Sequence, residues 1–411
     1  MKPLKLLFVW AMVLAMTGCS LKMRILEQWN LPLYDAKITP LDINADGVSD
    51  VIVSGYSKTP NADVTGKSMS DSLVAIDGQN SEVIWGYTTQ GVVSAYPCVY
   101  NDQVFIGSSD RHVYALDKTT GYVQWRFRTG DEVVGSATAI SGTVYVGSRD
   151  HHLYALKASN GQLKWKFKAE AAIDSTPAYA QGVLYIASWD KHLYAIDAKT
   201  GQLKWKFKAE GYFSKNNPVV DRGTVYVGNW DQNLYALDAK TGVLKWKFVT
   251  RGYIYEASPV VYDEQVYVGS EDKYLYALDR RQGKLLWTYE AGDALYGSPV
   301  VSDQGVYFTS RDGYLYAVDF FGESRWKVKL RGPVRSSPAL SGSEVWAGSP
   351  QLGMVKVYDP FDRIFWPMYG GDPAHLNNTA RAKKVGQALE PLWSTWTPER
   401  YWQQLQGWLD S

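Results

Sequence analysis

Residues 193–207 read LYAIDAKTGQLKWKF: a run of alternating apolar residues, a polar Asp-x-x-Thr-Gly turn, and a second alternating run centred on Trp205. Alternation on both sides of a glycine turn predicts a β-hairpin rather than a helix, because side chains along a strand point to opposite faces with a period of two. The same unit recurs. Its tryptophan returns at Trp85, Trp125, Trp165, Trp205, Trp246, Trp287, Trp326 and Trp366, at intervals of 39 to 41 residues. Upstream of each hairpin lie two further short apolar runs, one opened by a proline. Four short strands per forty residues is the period of a propeller blade.

The prolines that open the innermost strands are Pro40, Pro97, Pro177, Pro218, Pro259, Pro299 and Pro338, with Ala137 in the one remaining place. This predicts an all-β, eight-bladed β-propeller of four-stranded antiparallel blades over residues 25–376. Trp29 sits 11 residues before Pro40 and has no blade of its own. It is expected to lie on an outer strand that completes the last blade and closes the ring. Trp366 competes for that place, but Pro367 beside it disfavours a paired strand.

Composition agrees with one large aromatic-rich core. The 411 residues include 29 Tyr, 17 Trp and 12 Phe, and 43 basic residues against 42 acidic give a net charge of +1. Without a basic excess there is nothing to displace counterions from a phosphate backbone, so no nucleic-acid partner is expected. Cys19 and Cys98 are the only cysteines, which excludes a disulfide scaffold and any CxxC centre.

The chain opens with Lys2 and Lys5 before an apolar run from Leu6 to Met16, too short to span a bilayer and patterned as a secretory leader over residues 1–18. Met16, Thr17, Gly18 and Cys19 resemble a bacterial lipobox, with Met16 where leucine is usual. That resemblance implies acylation of Cys19, a lipidated tether over residues 19–24, and, because Ser20 and not aspartate follows, sorting to the outer membrane facing the periplasm. Loss of Lys2 and Lys5 with the leader would shift the net charge to −1. Cys98, in an apolar strand-like run with no histidine near it in sequence, reads as an inert structural thiol.

The motif Ala-x-Asp-x-x-Thr-Gly-x-x-x-Trp is complete at 115–125, 195–205 and 236–246. It resembles the tryptophan-docking repeat of quinoprotein (PQQ-like) propellers, a likeness that runs over residues 73–366. Departures are Lys157 for the Asp, Asn160 and Gln282 for the Thr, and a unit one residue short around Gly322. The repeat occurs both in quinone-dependent dehydrogenases and in non-enzymatic lipoproteins of the BamB type, which assemble outer-membrane proteins. The enzymes typically carry long insertions around the quinone and many have an adjacent cysteine pair; this chain has neither, so no quinone is expected. The resemblance therefore implies a non-catalytic protein-binding scaffold, a monomer within a complex with envelope proteins such as the outer-membrane β-barrel assembly machinery. The alternatives are a PQQ-dependent dehydrogenase and a glycan-binding surface lipoprotein.

Several residues stand out from the repeat. Asp42, Asn44, Asp46 and Asp50, with Gly47 at the sixth position, have the spacing of a calcium loop, with the Val48 carbonyl as a further ligand. Val53 at position 12 lacks the bidentate glutamate of an EF-hand, and the strand context resembles FG-GAP-type propeller loops. A structural calcium ion is the expectation, and an Asx-rich turn without metal is the alternative. His112, His152 and His192 recur on equivalent turns of successive blades, too far apart to share one ion. Lys164, Lys166, Lys168, Lys204, Lys206, Lys208, Lys245 and Lys247 mark solvent-facing edge strands, where lysine blocks edge-to-edge pairing.

Three residues before each inner-strand proline or its equivalent, the chain varies: Ser94, Val134, Asp174, Lys215, Glu256, Tyr296 and Arg335. These positions are expected on the loops around the central funnel. The same face should present the turns that carry Arg149, Trp189, Trp230, Glu271 and Arg311. Asp174, Lys215, Glu256, Tyr296, Arg335, Trp189 and Trp230 are the candidate partner-binding residues, with packing between blades as the other reading of the two tryptophans. An unpatterned insertion, Tyr56 to Ser72, opens on this face as well. After the ring, Thr397, Pro398, Glu399 and Arg400 predict a helix start, and Tyr401, Leu405, Trp408 and Leu409 give that short helix one apolar stripe within a segment of residues 377–411.

Overall fold

A computed structural model describes residues 25–29, 34–56, 72–80, 82–330, 332–349 and 353–359. The leader, Cys19, the insertion at 57–71, Trp366 and the C-terminal helix lie outside the described residues. Within them are eight four-stranded antiparallel sheets and no helix. Seven sheets are consecutive in sequence, at 34–88, 98–128, 138–168, 178–208, 219–249, 260–290 and 300–329, here blades 1 to 7. Blade 8 takes three strands from 339–358 and its outermost strand, Ile25–Trp29, from the other end of the chain. The prolines stand where expected: six of them immediately precede a short innermost strand, as in Ala178–Ala180 after Pro177.

The register of the closing strand differs from the sequence reading in one respect. In blade 4 Trp205 is paired with Ala195 and Phe207 with Leu193, and the other blades follow. In blade 8 the residue opposite Lys356, the equivalent of Ala195, is Glu27, and Trp29 lies opposite Met354. Trp29 thus occupies the Phe207 place rather than the docking-tryptophan place. The spacing carries this signal: Trp29 to Pro40 is 11 residues, the same as Phe207 to Pro218.

The core lies between blades, not within them. Tyr145, Leu153 and Ala155 of blade 3 pack with Leu184, Ile186 and Ile196 of blade 4, all nearly or wholly buried, and the pattern repeats round the ring. At the seam, Ile38, Val51, Val53 and Val74 of blade 1 pack with Trp346 and Met354 of blade 8.

The repeated motif is explained by one inter-blade contact. Each docking tryptophan donates its indole N–H to the backbone of the next blade: Trp85 to the Lys118 carbonyl at 2.8 Å, Trp125 to Ala158 at 2.7 Å, Trp205 to Ala239 at 3.1 Å. Its ring then lies against the motif glycine of that blade, which has φ near +70° and no Cβ to collide with it. The motif aspartate holds the turn, as Asp197 does by accepting the Lys199 and Thr200 amides and the Thr200 hydroxyl. Trp326 is the exception. It donates to the buried carboxylate of Asp359, which Arg325 and Tyr307 also engage.

Candidate functional site

The turn between the second and third strands of a blade is fastened to the segment that enters the same blade. Asp190 accepts the Tyr194 phenol at 2.7 Å, the Glu170 amide at 2.9 Å and the His192 amide at 2.9 Å. Equivalent clamps recur at Asp110, Asp150, Asp231, Asp272 and Asp312. Burial, with the adjoining aspartate, pushes the Tyr194 phenol well above its ordinary range. His112, His152 and His192 each bond the aspartate two residues earlier, so these histidines serve their own turns. The clamps hold entering segments and turns together on one face, around the funnel.

On that face the repeat gives way to aromatic residues from successive blades. The Trp189 and Trp230 rings meet edge to face at 5.3 Å, with Tyr212 6.2 Å from Trp189 and 6.4 Å from Trp230. Trp230 stacks on Tyr255 at 5.0 Å, and Tyr255 meets Tyr296 edge to face at 5.6 Å. The result is a continuous arc over blades 4 to 7. Trp189 and Trp230 are half-buried, so each uses part of its ring to pack between blades and leaves part at the surface. Tyr212 and Tyr253 are exposed. Beside Trp189 and Tyr212 opens a groove of about 330 Å³ lined also by Glu170, Lys191, Lys208 and Glu210.

The charged candidates divide. Asp174 is buried, 2% exposed, and is held by Arg149 at 3.2 Å and by the Trp189 indole N–H at 3.0 Å. It is therefore a support behind the arc and not part of its surface. Arg149 also bonds Glu132 at 2.7 Å. Lys215 pairs with Glu256 at 3.5 Å and does not bridge to Asp174. Arg335 is exposed and stands 5.2 Å from the Tyr296 ring centre, with Arg311 5.6 Å from the same ring. Burial and the nearby Glu271 raise the Tyr296 phenol above its ordinary range. Ser94 donates to the Val134 carbonyl at 3.4 Å. Tyr212, Tyr255 and Glu132 were not singled out by sequence; the available signal was an aromatic residue at 212 and 255, where the equivalent segments of other blades are mostly small or polar.

The Asp42–Asp50 loop lies between the two innermost strands of blade 1. Asp42 accepts the Ala45 and Gly47 amides, Asn44 the Asp46 amide, and Asp46 the Val48 amide. Asn44 also donates to Asp46 at 3.0 Å and to Asp77 at 3.4 Å, which brings Asp77 to the loop. Asp50 is wholly buried, and its two oxygens accept the Ile43 and Gly78 amides at 2.8 Å each. Among the described residues no group of three or more His, Cys, Asp or Glu is arranged to hold a metal ion. Asp50 anchors the loop to the turn between the two outer strands of the same blade through the Gly78 amide. Burial holds the Cys98 thiol up at about 11, so it is protonated at neutral pH.

Comparison with known proteins agrees with this architecture. A search of curated proteins finds no match. Among solved structures, BamB from Moraxella catarrhalis is similar with a TM-score of 0.63 at 18% identity, covering 81% of this chain and 95% of that one. The computationally designed Ika8 protein gives a TM-score of 0.64 at 15% identity, covering 80% and 98%. At such identities the likeness is one of fold. The sequence model of the family described as "Outer membrane protein assembly factor BamB" matches residues 59–166, 135–217, 209–295 and 271–359. With most of the ring so matched, the chain belongs to the family of outer-membrane protein assembly factor BamB.

Proposed function

We propose that the chain is a non-catalytic protein-binding scaffold of the bacterial cell envelope, anchored through Cys19 to the outer membrane on its periplasmic side, and that it serves outer-membrane protein assembly. The observation that carries this reading is the aromatic arc from Tyr212 to Tyr296. Large, partly exposed rings supported by the buried Asp174 and the half-buried Arg149 make a rigid surface, and rigid Trp and Tyr side chains dominate the energetics of many protein interfaces. Family membership supports the assembly role. Around the funnel Arg149 is paired with Asp174 and Lys215 with Glu256, which commits these four groups to ion pairs and favours binding over catalysis. A calcium ion held by Asp42, Asn44, Asp46, the Val48 carbonyl and Asp50 is part of this proposal, as a structural element of blade 1.

Affinity purification from detergent-solubilised envelopes tests the scaffold. Wild-type protein is expected to recover β-barrel assembly components. The Trp189→Ala/Trp230→Ala variant should lose them, since truncating two central anchors costs about 2 kcal/mol or more, roughly a thirtyfold loss of affinity. Asp174 keeps its Arg149 partner in that variant, so the ring should remain folded. Recovery at full yield would contradict the arc as the contact surface, and absence of any assembly component from the wild-type sample would contradict the function.

A further inference from the structure

Around the funnel, Arg149 and Lys215 have carboxylate partners. Arg311 and Arg335 have none within ion-pair distance among the described residues. Both guanidinium groups instead stand over one ring, that of Tyr296, and the Arg311 Nε is buried without a hydrogen-bond partner. Two like charges drawn to one aromatic ring repel each other, and an anion between them removes that repulsion. The nearby acid is Glu271, which acts on the Tyr296 phenol together with Arg311 and, among the described residues, is within ion-pair distance of neither arginine. Its charge offsets one of the two cations, so the sector suits a singly charged carboxylate better than a phosphate. The ring chain then continues without a break through Tyr255 to Trp230. An apolar group adjoining the bound anion would lie on it.

We propose that Arg311 and Arg335 on Tyr296 form a carboxylate-binding fork that receives an acidic side chain of an envelope partner, while Tyr255 and Trp230 take the apolar residue beside that acid. This rests on the reading of the funnel face as a protein-docking surface. It specifies the partner's chemistry: an exposed segment in which Asp or Glu adjoins an aromatic or aliphatic residue. The Arg335 end is exposed and so open to an incoming side chain.

The test uses two blocked tetrapeptides, Glu-Trp-Glu-Leu and its amide counterpart Gln-Trp-Gln-Leu, titrated calorimetrically into the detergent-solubilised full-length protein. The acidic peptide is expected to bind about tenfold more tightly, with the preference shrinking as salt is raised. Arg311→Gln/Arg335→Gln should abolish the preference, and Trp230→Ala should weaken both peptides alike. Arg335→Gln alone, at an exposed position, should reduce the preference even if the double variant fails to fold. Equal binding of the two peptides, binding of neither, or a preference that survives the arginine substitutions would overturn the proposal. The envelope purification separates the two readings. Assembly components recovered by a protein that shows no acidic preference would sink the fork and leave the scaffold, whereas a clear preference without any such recovery would do the reverse.

Discussion

Gly201 has a φ of +74°, and a Cβ on it would stand 2.7 Å from the Trp165 ring. Gly201→Ala therefore combines backbone strain with a collision in a contact that fastens blade 3 to blade 4. The expected loss is about 2–4 kcal/mol in urea-induced unfolding; an unchanged midpoint would show that the indole has room to move. Such positions were fully legible in the sequence, because the glycine and the tryptophan recur together and local turn chemistry determines both. The funnel residues were legible only in part. Position 174 announced itself by variation, but that its aspartate is buried under Trp189 follows from a partner on a different turn, which spacing alone does not reveal. Tyr212 and Tyr255 were missed for the same reason: an aromatic arc is a property of neighbouring blades, not of any one segment.

At the scale of the element, the Asp42–Asp50 loop replaces what is elsewhere a two-residue turn such as Gln181 and Gly182. Its oxygens accept amides of the loop itself, and bound calcium would add stability that grows with the logarithm of its concentration over its dissociation constant. A chelator is expected to lower the melting temperature by several degrees, with calcium and not magnesium restoring it, since the larger ion tolerates an irregular ring of oxygens. Identical melting with and without chelator would leave the loop as a hydrogen-bonded turn only. The outer strands illustrate how composition and place agree: Lys164, Lys166 and Lys168 are all exposed on the free edge of blade 3, where their charge discourages pairing with another chain.

For the whole molecule, the blade count and the closing strand were legible in the sequence, since proline and tryptophan ladders run out of step by one. It concealed the register, because Trp29 draws attention to itself and Glu27 does not. Deleting the strand Ile25–Trp29 should leave the third strand of blade 8 as an open edge at the outside of the ring. A chain starting after Trp29 is expected to melt at least about 5 °C lower and to associate at high concentration. A truncated protein that melts and sediments as the intact one does would show that the seam is held by the Trp346 and Met354 packing alone.

The pairing of Ile25 with Val357 also sets an order of events in time. Blades made of consecutive strands can form as the chain emerges, each from local contacts, but the last blade waits for residues from both ends. The strand Ile25–Trp29, first in sequence among the described strands, is thus among the last to be placed. Until then it is an unpaired strand facing the open edge of the third strand of blade 8, and any factor that binds exposed strand edges would meet the protein in that half-joined form.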